Sequence, residues 1–134
     1  MNFDGKTIIV TGAGGGIGEA YARGCARQGM NVVVAELSQE KGTCVADSIN
    51  KEGGSAIFQE TDVADEASAH LCVERTKDAF GSVDFLINNA AIFADMRIEG
   101  YLTVDLDYLE KFMRVNAHGA LIMTRAVLET MSSA

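Results

Sequence analysis

A cluster of glycines near the N-terminus is the first feature of this 134-residue sequence that could do chemistry. The cluster follows the run Lys6–Thr11, which is rich in β-branched residues, and precedes Ile17–Gln28, whose apolar spacing is helical. Its members are Gly12, Gly14, Gly15, Gly16 and Gly18. A phosphate needs backbone N–H donors at close range, and a helix N-terminus reached through glycines offers them with a favourable dipole. The segment therefore predicts a site for the pyrophosphate of a dinucleotide.

The spacing of these glycines excludes two common phosphate-binding motifs. Ile17 occupies the position of the third glycine in a G-x-G-x-x-G pattern, and no Lys-Ser or Lys-Thr pair closes the turn as in a P-loop. The pattern that fits is Thr-Gly-x-x-x-Gly-Ile-Gly, from Thr11 to Gly18. A glycine-rich turn that joins a strand to a helix and binds nothing is the alternative interpretation.

A carboxylate follows the second apolar run. Asn31–Ala35 has the composition of a buried strand, and Glu36 comes directly after it, about 20 residues beyond the glycine turn. A carboxylate there can accept hydrogen bonds from the adenosine ribose hydroxyls and would repel a 2′-phosphate, which favours NAD over NADP. The next residue, Leu37, is a further candidate cofactor contact. A solvated carboxylate at a strand end is the alternative.

Strand and helix patterns alternate along the rest of the chain. The remaining predicted elements are a helix from Ser38 to about Glu52, a strand Ser55–Gln59, a helix from Asp65 to about Phe80, a strand Val83–Asn88 and, after a loop, a long helix from Asp105 or Leu106 to about Met131. Strict alternation predicts right-handed βαβ units. We therefore expect one α/β domain over residues 1–134, built on a doubly wound parallel sheet of Rossmann type.

Polar residues interrupt the apolar patterns near the ends of the later elements. Asp62 and Val63 follow the third strand, and Asn88 and Asn89 end the fourth. Adjacent asparagines are costly to bury unless they are hydrogen-bonded. Asn116 lies on the apolar stripe of the long helix, where asparagine is a poor helix former. Helix capping would account for Asp62, and backbone or water contacts for Asn116, without any function.

Taken in order, these motifs resemble those of the short-chain dehydrogenase/reductase family. The resemblance rests on the glycine turn, Glu36, Asp62–Val63, the run Asn88-Asn89-Ala90-Ala91 and Val115–Asn116, and it covers the whole chain. In that family the aspartate contacts the adenine amine and its apolar neighbour covers the ring. Ala91 stands where the family usually has glycine, a small-for-small change. NADP-preferring members usually carry a basic residue at the position of Gly16, so the resemblance also implies NAD.

The resemblance further implies site residues and a reaction. It assigns to cofactor binding Gly12, Gly14, Gly15, Gly16, Ile17, Gly18, Glu36, Leu37, Asp62, Val63, Asn89, Ala90, Ala91 and Val115. Asn116 matches the asparagine of the catalytic tetrad, which bonds main chain and helps to hold a water. The implied reaction is hydride transfer between nicotinamide and a small-molecule alcohol or ketone, in a protein that is a homo-oligomer.

The other catalytic residues of that family are not found in the sequence. A Tyr-x-x-x-Lys pair, in which the lysine lowers the tyrosine pKa, is absent. Ser132 and Ser133 fall at the helix end, so we do not assign the catalytic serine to them. We expect a Rossmann domain that is incomplete at its C-terminus, truncated after the fourth strand and the long helix. An N-terminal part of an NAD-dependent oxidoreductase, a non-catalytic binding module and one half of a split enzyme remain as three hypotheses.

Composition narrows the partners and the compartment. The net charge is −8 without any cluster of Lys and Arg, which argues against nucleic acid and anionic membrane surfaces. No apolar run approaches the about 20 residues that span a bilayer, and no signal peptide is visible. The cysteines at positions 25, 44 and 72 form no C-x-x-C pair, so free thiols in a reducing cytoplasm are expected. With only His70 and His118 to accompany them, we expect no metal site.

Overall fold

Four parallel strands form the central sheet. The computed structural model describes residues 1–131. The strands are β1 (Thr7–Thr11), β2 (Asn31–Glu36), β3 (Ser55–Glu60) and β4 (Phe85–Ile87). Their order across the sheet is β3-β2-β1-β4, with every neighbouring pair parallel. This order reverses direction at β1, so the predicted doubly wound α/β fold of Rossmann type is confirmed.

Helical segments follow the strands, as the alternation predicts. They are α1 (Gly16–Arg27), α2 (Gln39–Lys51), α3 (Glu66–Phe80) and a long helix in three parts, namely α4 (Leu106–Met113), a π turn (Arg114–His118) and α5 (Gly119–Met131). Within residues 1–131, no helix is both long and apolar enough to cross a membrane. The predicted ends of the first three helices agree with the structure to within one residue.

Helices cover both faces of the sheet because side chains of the two central strands alternate between the faces. Ile9 and Val33 pack in one buried cluster with residues of α3 and α5. Ile8 and Val32 pack in the other cluster with residues of α1 and α2. Two apolar layers therefore enclose β1 and β2, which explains why both read as continuous apolar runs in the sequence.

Strand β4 is shorter than the sequence predicts. Val83–Asn88 was expected, but only Phe85–Ile87 pairs with β1. Side-chain hydrogen bonds join the two segments beyond both ends of this ladder, and at the N-terminal end the Asp84 N–H also donates to the Thr7 carbonyl at 2.9 Å. The Asp84 carboxylate accepts the N–H of Thr7 at 2.9 Å, and the Thr11 hydroxyl accepts backbone N–H groups beyond the strand. Among the described residues β1 is the only strand that pairs with β4.

The sequence predicts one continuous long helix here, but the structure interrupts it. Residues 114–118 form a π turn between α4 and α5. Side-chain periodicity carries little sign of such a local change in backbone hydrogen bonding, so the sequence did not reveal it. The apolar stripe of the helix is also only partly covered. Met123 and Val127 are buried, whereas Leu109, Met113 and Leu128 are exposed.

The segment between β4 and α4 is irregular but held at one end. The Arg97 guanidinium lies 3.9 Å from the centre of the Tyr108 ring, and the Arg97 N–H donates to the Tyr108 hydroxyl at 3.0 Å. Phe93, Ile98 and Tyr101 of the same segment are exposed. The segment therefore presents apolar side chains beyond the carboxyl end of β4. Residues 132–134, with Ser132 and Ser133, lie outside the described part of the chain.

Candidate functional site

The carboxyl ends of β1 and β4 meet where the strand order reverses, the usual ligand position in a doubly wound sheet. Gly12 directly follows β1 with φ of 65°, and a Cβ there would lie 2.8 Å from the Cα of Ala90. The Asn89 side-chain amide donates to the carbonyl oxygens of Thr11 and Gly12, at 3.1 and 3.2 Å. The structure thus joins the predicted glycine turn directly to the predicted Asn89–Ala90 segment.

A threonine that sequence reasoning left out of the site organises this junction. The Thr11 hydroxyl accepts the backbone N–H groups of Asn89 and Ala90, both at 3.0 Å, and donates to the Ile87 carbonyl at 3.3 Å. Thr11 is 1% exposed. Its position at the start of the glycine motif was the signal that could have identified it.

The N-terminus of α1 differs from those of the helices that follow. Ser38, Asp65 and Asp105 cap α2, α3 and α4, each accepting a backbone N–H of the first turn. At α1 the capping position is Gly15, and no side chain caps the helix. Its first N–H groups have no partner one turn earlier, so they remain available to a bound anion.

The glycine turn faces open space at Gly15 and Gly16 and is tightly packed at Gly18. A Cβ on Gly15 or Gly16 would meet no atom within 4 Å, and Ile17 is 69% exposed. Gly18 is buried, and a Cβ there would collide with the Gly12 carbonyl and the Asn89 amide. The open side and the donors together form a cradle that fits a pyrophosphate.

Glu36 reaches back from the end of β2 to the glycine turn. Its Oε1 accepts the N–H of Gly14 at 3.2 Å, and its Oε2 accepts the N–H of Ser38 at 2.8 Å. A Cβ on Gly14 would lie 2.5 Å from the Glu36 Cγ, so glycine is required for this approach. Leu37 is 65% exposed beside it. A carboxylate is therefore held at the carboxyl end of β2, where the sequence predicts the adenosine ribose.

The turn after β3 lies next to Glu36, whose carbonyl accepts the N–H of Thr61 at 3.1 Å. Asp62 is exposed, and its Oδ1 accepts the N–H of Ala64 at 2.9 Å. Val63 is 6% exposed and packs in the core. The carboxylate thus stands at the surface above a buried valine.

Asn116 lies in the π turn and forms hydrogen bonds with the segment after β4. Its Oδ1 accepts the N–H of Ile92 at 2.7 Å, and its Nδ2 donates to the Ile92 carbonyl at 3.0 Å. Val115 is half-buried against the core, and Ala91 is exposed. The asparagine therefore bonds the main chain of Ile92, the residue after Ala91.

Thiols and metal ligands contribute little to the site. Burial raises the pKa of the Cys25 and Cys72 thiols, which disfavours the reactive thiolate. All three cysteines are free, and Cys44 is exposed on α2. In the part of the chain that the structure describes, no three potential metal ligands come together.

Known proteins identify the family. A sequence model described as short chain dehydrogenase matches residues 6–134. The chain belongs to the short-chain dehydrogenase/reductase family. An uncharacterized oxidoreductase of Mycobacterium tuberculosis is 50% identical to this short-chain dehydrogenase/reductase chain over 130 residues, which are 97% of the chain and 52% of that protein. An L-rhamnose 1-dehydrogenase (NAD(P)(+)) of Azotobacter vinelandii is 42% identical over 135 residues, covering 94% of the chain and 50% of that protein.

Solved structures agree with this assignment. A short chain dehydrogenase from Mycobacterium avium superposes with a TM-score of 0.90 at 29% identity, over 99% of this chain and 48% of that one. This short-chain dehydrogenase/reductase chain spans about half the length of the curated relatives it matches. The family and the Rossmann-type fold predicted from the motifs are therefore confirmed.

Proposed function

We propose that the protein to which this chain belongs is an NAD-dependent oxidoreductase that transfers hydride between nicotinamide and an alcohol or carbonyl substrate. The observation that carries the proposal is the uncapped N-terminus of α1 beside the junction of β1 and β4. A pyrophosphate seated there would accept the N–H donors that capping side chains accept at the other helices. Membership of a dehydrogenase family supports the same chemistry.

Each part of the dinucleotide has candidate partners in the chain. The pyrophosphate would contact the glycine turn, with the adenosine extending towards β2 and β3 and the nicotinamide ribose towards β4. The assigned residues are Gly12, Gly14, Gly15, Gly16, Ile17 and Gly18 for the pyrophosphate, Glu36, Leu37, Asp62 and Val63 for the adenosine, Asn89, Ala90 and Ala91 for the nicotinamide ribose, and Val115 as a further cofactor contact.

Glu36 is the proposed selector of NAD over NADP. Two backbone N–H groups already hold its carboxylate at the edge of the site. A 2′-phosphate would bring a second negative charge to this carboxylate, whereas ribose hydroxyls could donate hydrogen bonds to it. One relative is named for NAD(P)(+), and the preference for NAD proposed here rests on Glu36 of this chain.

Asn116 is the one member of the catalytic tetrad that we assign to these residues. When bound, NAD would supply the hydride acceptor. Asn116 fixes the Ile92 backbone beside that position, and the second N–H of its amide could hold a water for proton transfer. Because the 134 residues contain no Tyr-x-x-x-Lys pair, we propose that they bind cofactor without turnover.

The proposal extends to partners and compartment. Exposed apolar side chains on the long helix, Leu109, Met113 and Leu128, fit a homo-oligomer in which a second copy covers them. Three free cysteines fit the reducing cytoplasm. The net charge of −8 fits a small-molecule substrate and neither nucleic acid nor membrane.

Fluorescence titration of the 134-residue chain with NADH and NADPH tests the proposal. We expect NADH to bind with a Kd lower than that of NADPH by about tenfold or more, and no oxidation of NADH with ketones. Equal affinity for NADPH would refute the role of Glu36. Failure of both to bind would refute the site itself. Turnover that appears only after mixing with a second polypeptide would identify a split enzyme.

A further inference from the structure

Arg114 reaches from the long helix to the turn that follows β3. It is the first residue of the π turn, and its Nε donates a 2.8 Å hydrogen bond to the carbonyl oxygen of Ala64. Ala64 comes directly after Asp62–Val63. A residue to which no cofactor role has been assigned therefore holds the backbone beside the proposed adenine contact.

A second contact joins the long helix to the same turn. Gly119, which begins α5, lies so close to Val63 that a Cβ on it would be 2.7 Å from the valine Cγ2. Val63 is 6% exposed, so this side of the turn cannot move outwards without uncovering the core. The helix thus holds Val63 by packing, and Arg114 holds Ala64 by a charged donor.

The position of Ala64 determines the orientation of the Asp62 carboxylate. The Ala64 N–H donates to Asp62 Oδ1 at 2.9 Å, and the Asp62 N–H donates to the Ser68 hydroxyl at 2.9 Å. The carbonyl of Asp62 also accepts the N–H of Asp65 at 3.1 Å. If Ala64 shifts, the carboxylate loses the donor that orients it.

The π turn also forms hydrogen bonds with the loop on the other side of the site, which follows β4. Asn116 holds Ile92 through both atoms of its amide. Residues two positions apart point to different flanks of a helix, so Arg114 and Asn116 reach different loops. One turn of the long helix therefore fixes a loop on the adenosine side and another on the nicotinamide side.

We propose that Arg114 is a positioning residue for the adenine end of the cofactor site. It acts through Ala64 on Asp62, without contact with the cofactor itself. The inference rests on the proposed function, in which Asp62 meets the adenine. Loss of the guanidinium would free the Ala64 carbonyl and weaken binding of the adenine half alone.

The test compares Arg114→Ala, Arg114→Lys and the control Arg125→Ala by titration with AMP and with NADH. Arg125 is an exposed arginine on α5, with no hydrogen bond to residues 61–64 in the described structure. We expect Arg114→Ala to raise the Kd of AMP and of NADH by the same factor, about 3- to 10-fold. Arg114→Lys should recover part of the loss because it keeps a long cationic donor. Arg125→Ala should bind as the wild type does.

Amide hydrogen exchange of the free chain gives an independent measurement. Exchange at Ala64 and Asp65 should accelerate in Arg114→Ala and stay unchanged in Arg125→Ala. Unchanged AMP affinity in Arg114→Ala would overturn the inference, as would equal losses in the two alanine variants. If the wild-type chain binds neither AMP nor NADH, the proposed function fails and the adenine role with it. In that case, faster exchange in Arg114→Ala would show that the contact between Arg114 and Ala64 exists although the cofactor site does not bind.

Discussion

Strand β1 contains two buried threonines whose hydroxyls are in opposite situations. The Thr11 hydroxyl accepts the N–H groups of Asn89 and Ala90 and donates to the Ile87 carbonyl. Thr7 is 0% exposed, and its hydroxyl has no hydrogen-bond partner among residues 1–131. In the sequence both are simply β-branched residues of a strand, because the partners that distinguish Thr11 come from a segment about 80 residues away.

Replacement of each threonine by valine is expected to change stability in opposite directions. Thr11→Val leaves two part-buried N–H groups without an acceptor and should lower the free energy of unfolding by about 2 kcal/mol. Thr7→Val removes an unsatisfied hydroxyl and should raise it by about 1 kcal/mol. Urea unfolding of both variants beside the wild type measures the difference. Changes of the same sign would contradict this interpretation of the two hydroxyls.

Residue types in the sequence predicted where the candidate site lies, but they did not predict which residues form hydrogen bonds with each other within it. Glu36 was expected at the carboxyl end of the second strand, and it lies there. Its bonds to the N–H groups of Gly14 and Ser38 depend on the path of the turn, which local patterns do not specify. The same holds for Asn116, whose partner Ile92 lies in an irregular segment.

Elements with a strong apolar period were predicted within about one residue, and the misses have local causes. Strand β4 is shorter than predicted, and a π turn interrupts the long helix. The sequence therefore predicted the existence and order of the elements better than their internal hydrogen bonding.

Asp84 ties the edge strand β4 to β1. Its carboxylate accepts the N–H of Thr7 at 2.9 Å and the hydroxyl of Ser82 at 3.1 Å, and it lies 3.4 Å from the Nζ of Lys6. The backbone hydrogen bond from Thr7, assisted by Ser82 and Lys6, holds the pKa of Asp84 below its usual value. The ionised form is therefore favoured in the folded chain.

Asp84→Asn is expected to reduce stability in a pH-dependent manner. Because the folded pKa is the lower one, the carboxylate stabilises the fold above the usual pKa of about 3.9, and this contribution is lost as the pH falls through the folded pKa. The stability gap between wild type and Asp84→Asn should be full at pH 7 and narrow below about pH 4. Thermal unfolding across this range, with Asp78→Asn on the exposed side of α3 as control, measures it. A gap that stays constant with pH would contradict the assignment.

The alternation of strands and helices, together with the right-handed crossover rule, predicted the doubly wound sheet and the strand ends at which the candidate site lies. The family motifs added the expected partners of the dinucleotide. What the 134 residues do not contain is the Tyr-x-x-x-Lys pair of the family, so their chemistry was predicted as binding alone. The chain spans about half the length of the relatives that it matches.

Gly15 allows folding and cofactor binding to be tested separately. Its φ of 178° and ψ of 175° are extended values that any residue adopts, and a Cβ there meets no atom within 4 Å. Aspartate at this position would supply the cap that α1 lacks, and its charge would occupy the proposed place of the pyrophosphate. Gly15→Asp should therefore fold at least as stably as the wild type and bind NADH poorly.

Titration of the wild-type, Gly15→Ala and Gly15→Asp chains with NADH, with the Tm of each measured in parallel, tests the proposed pyrophosphate site. The wild type and Gly15→Ala should bind NADH, and Gly15→Asp, with a Tm no lower than that of the wild type, should bind it about 100-fold more weakly or worse. Binding of NADH by Gly15→Asp as tightly as by the wild type would contradict the assignment of the pyrophosphate to the N-terminus of α1.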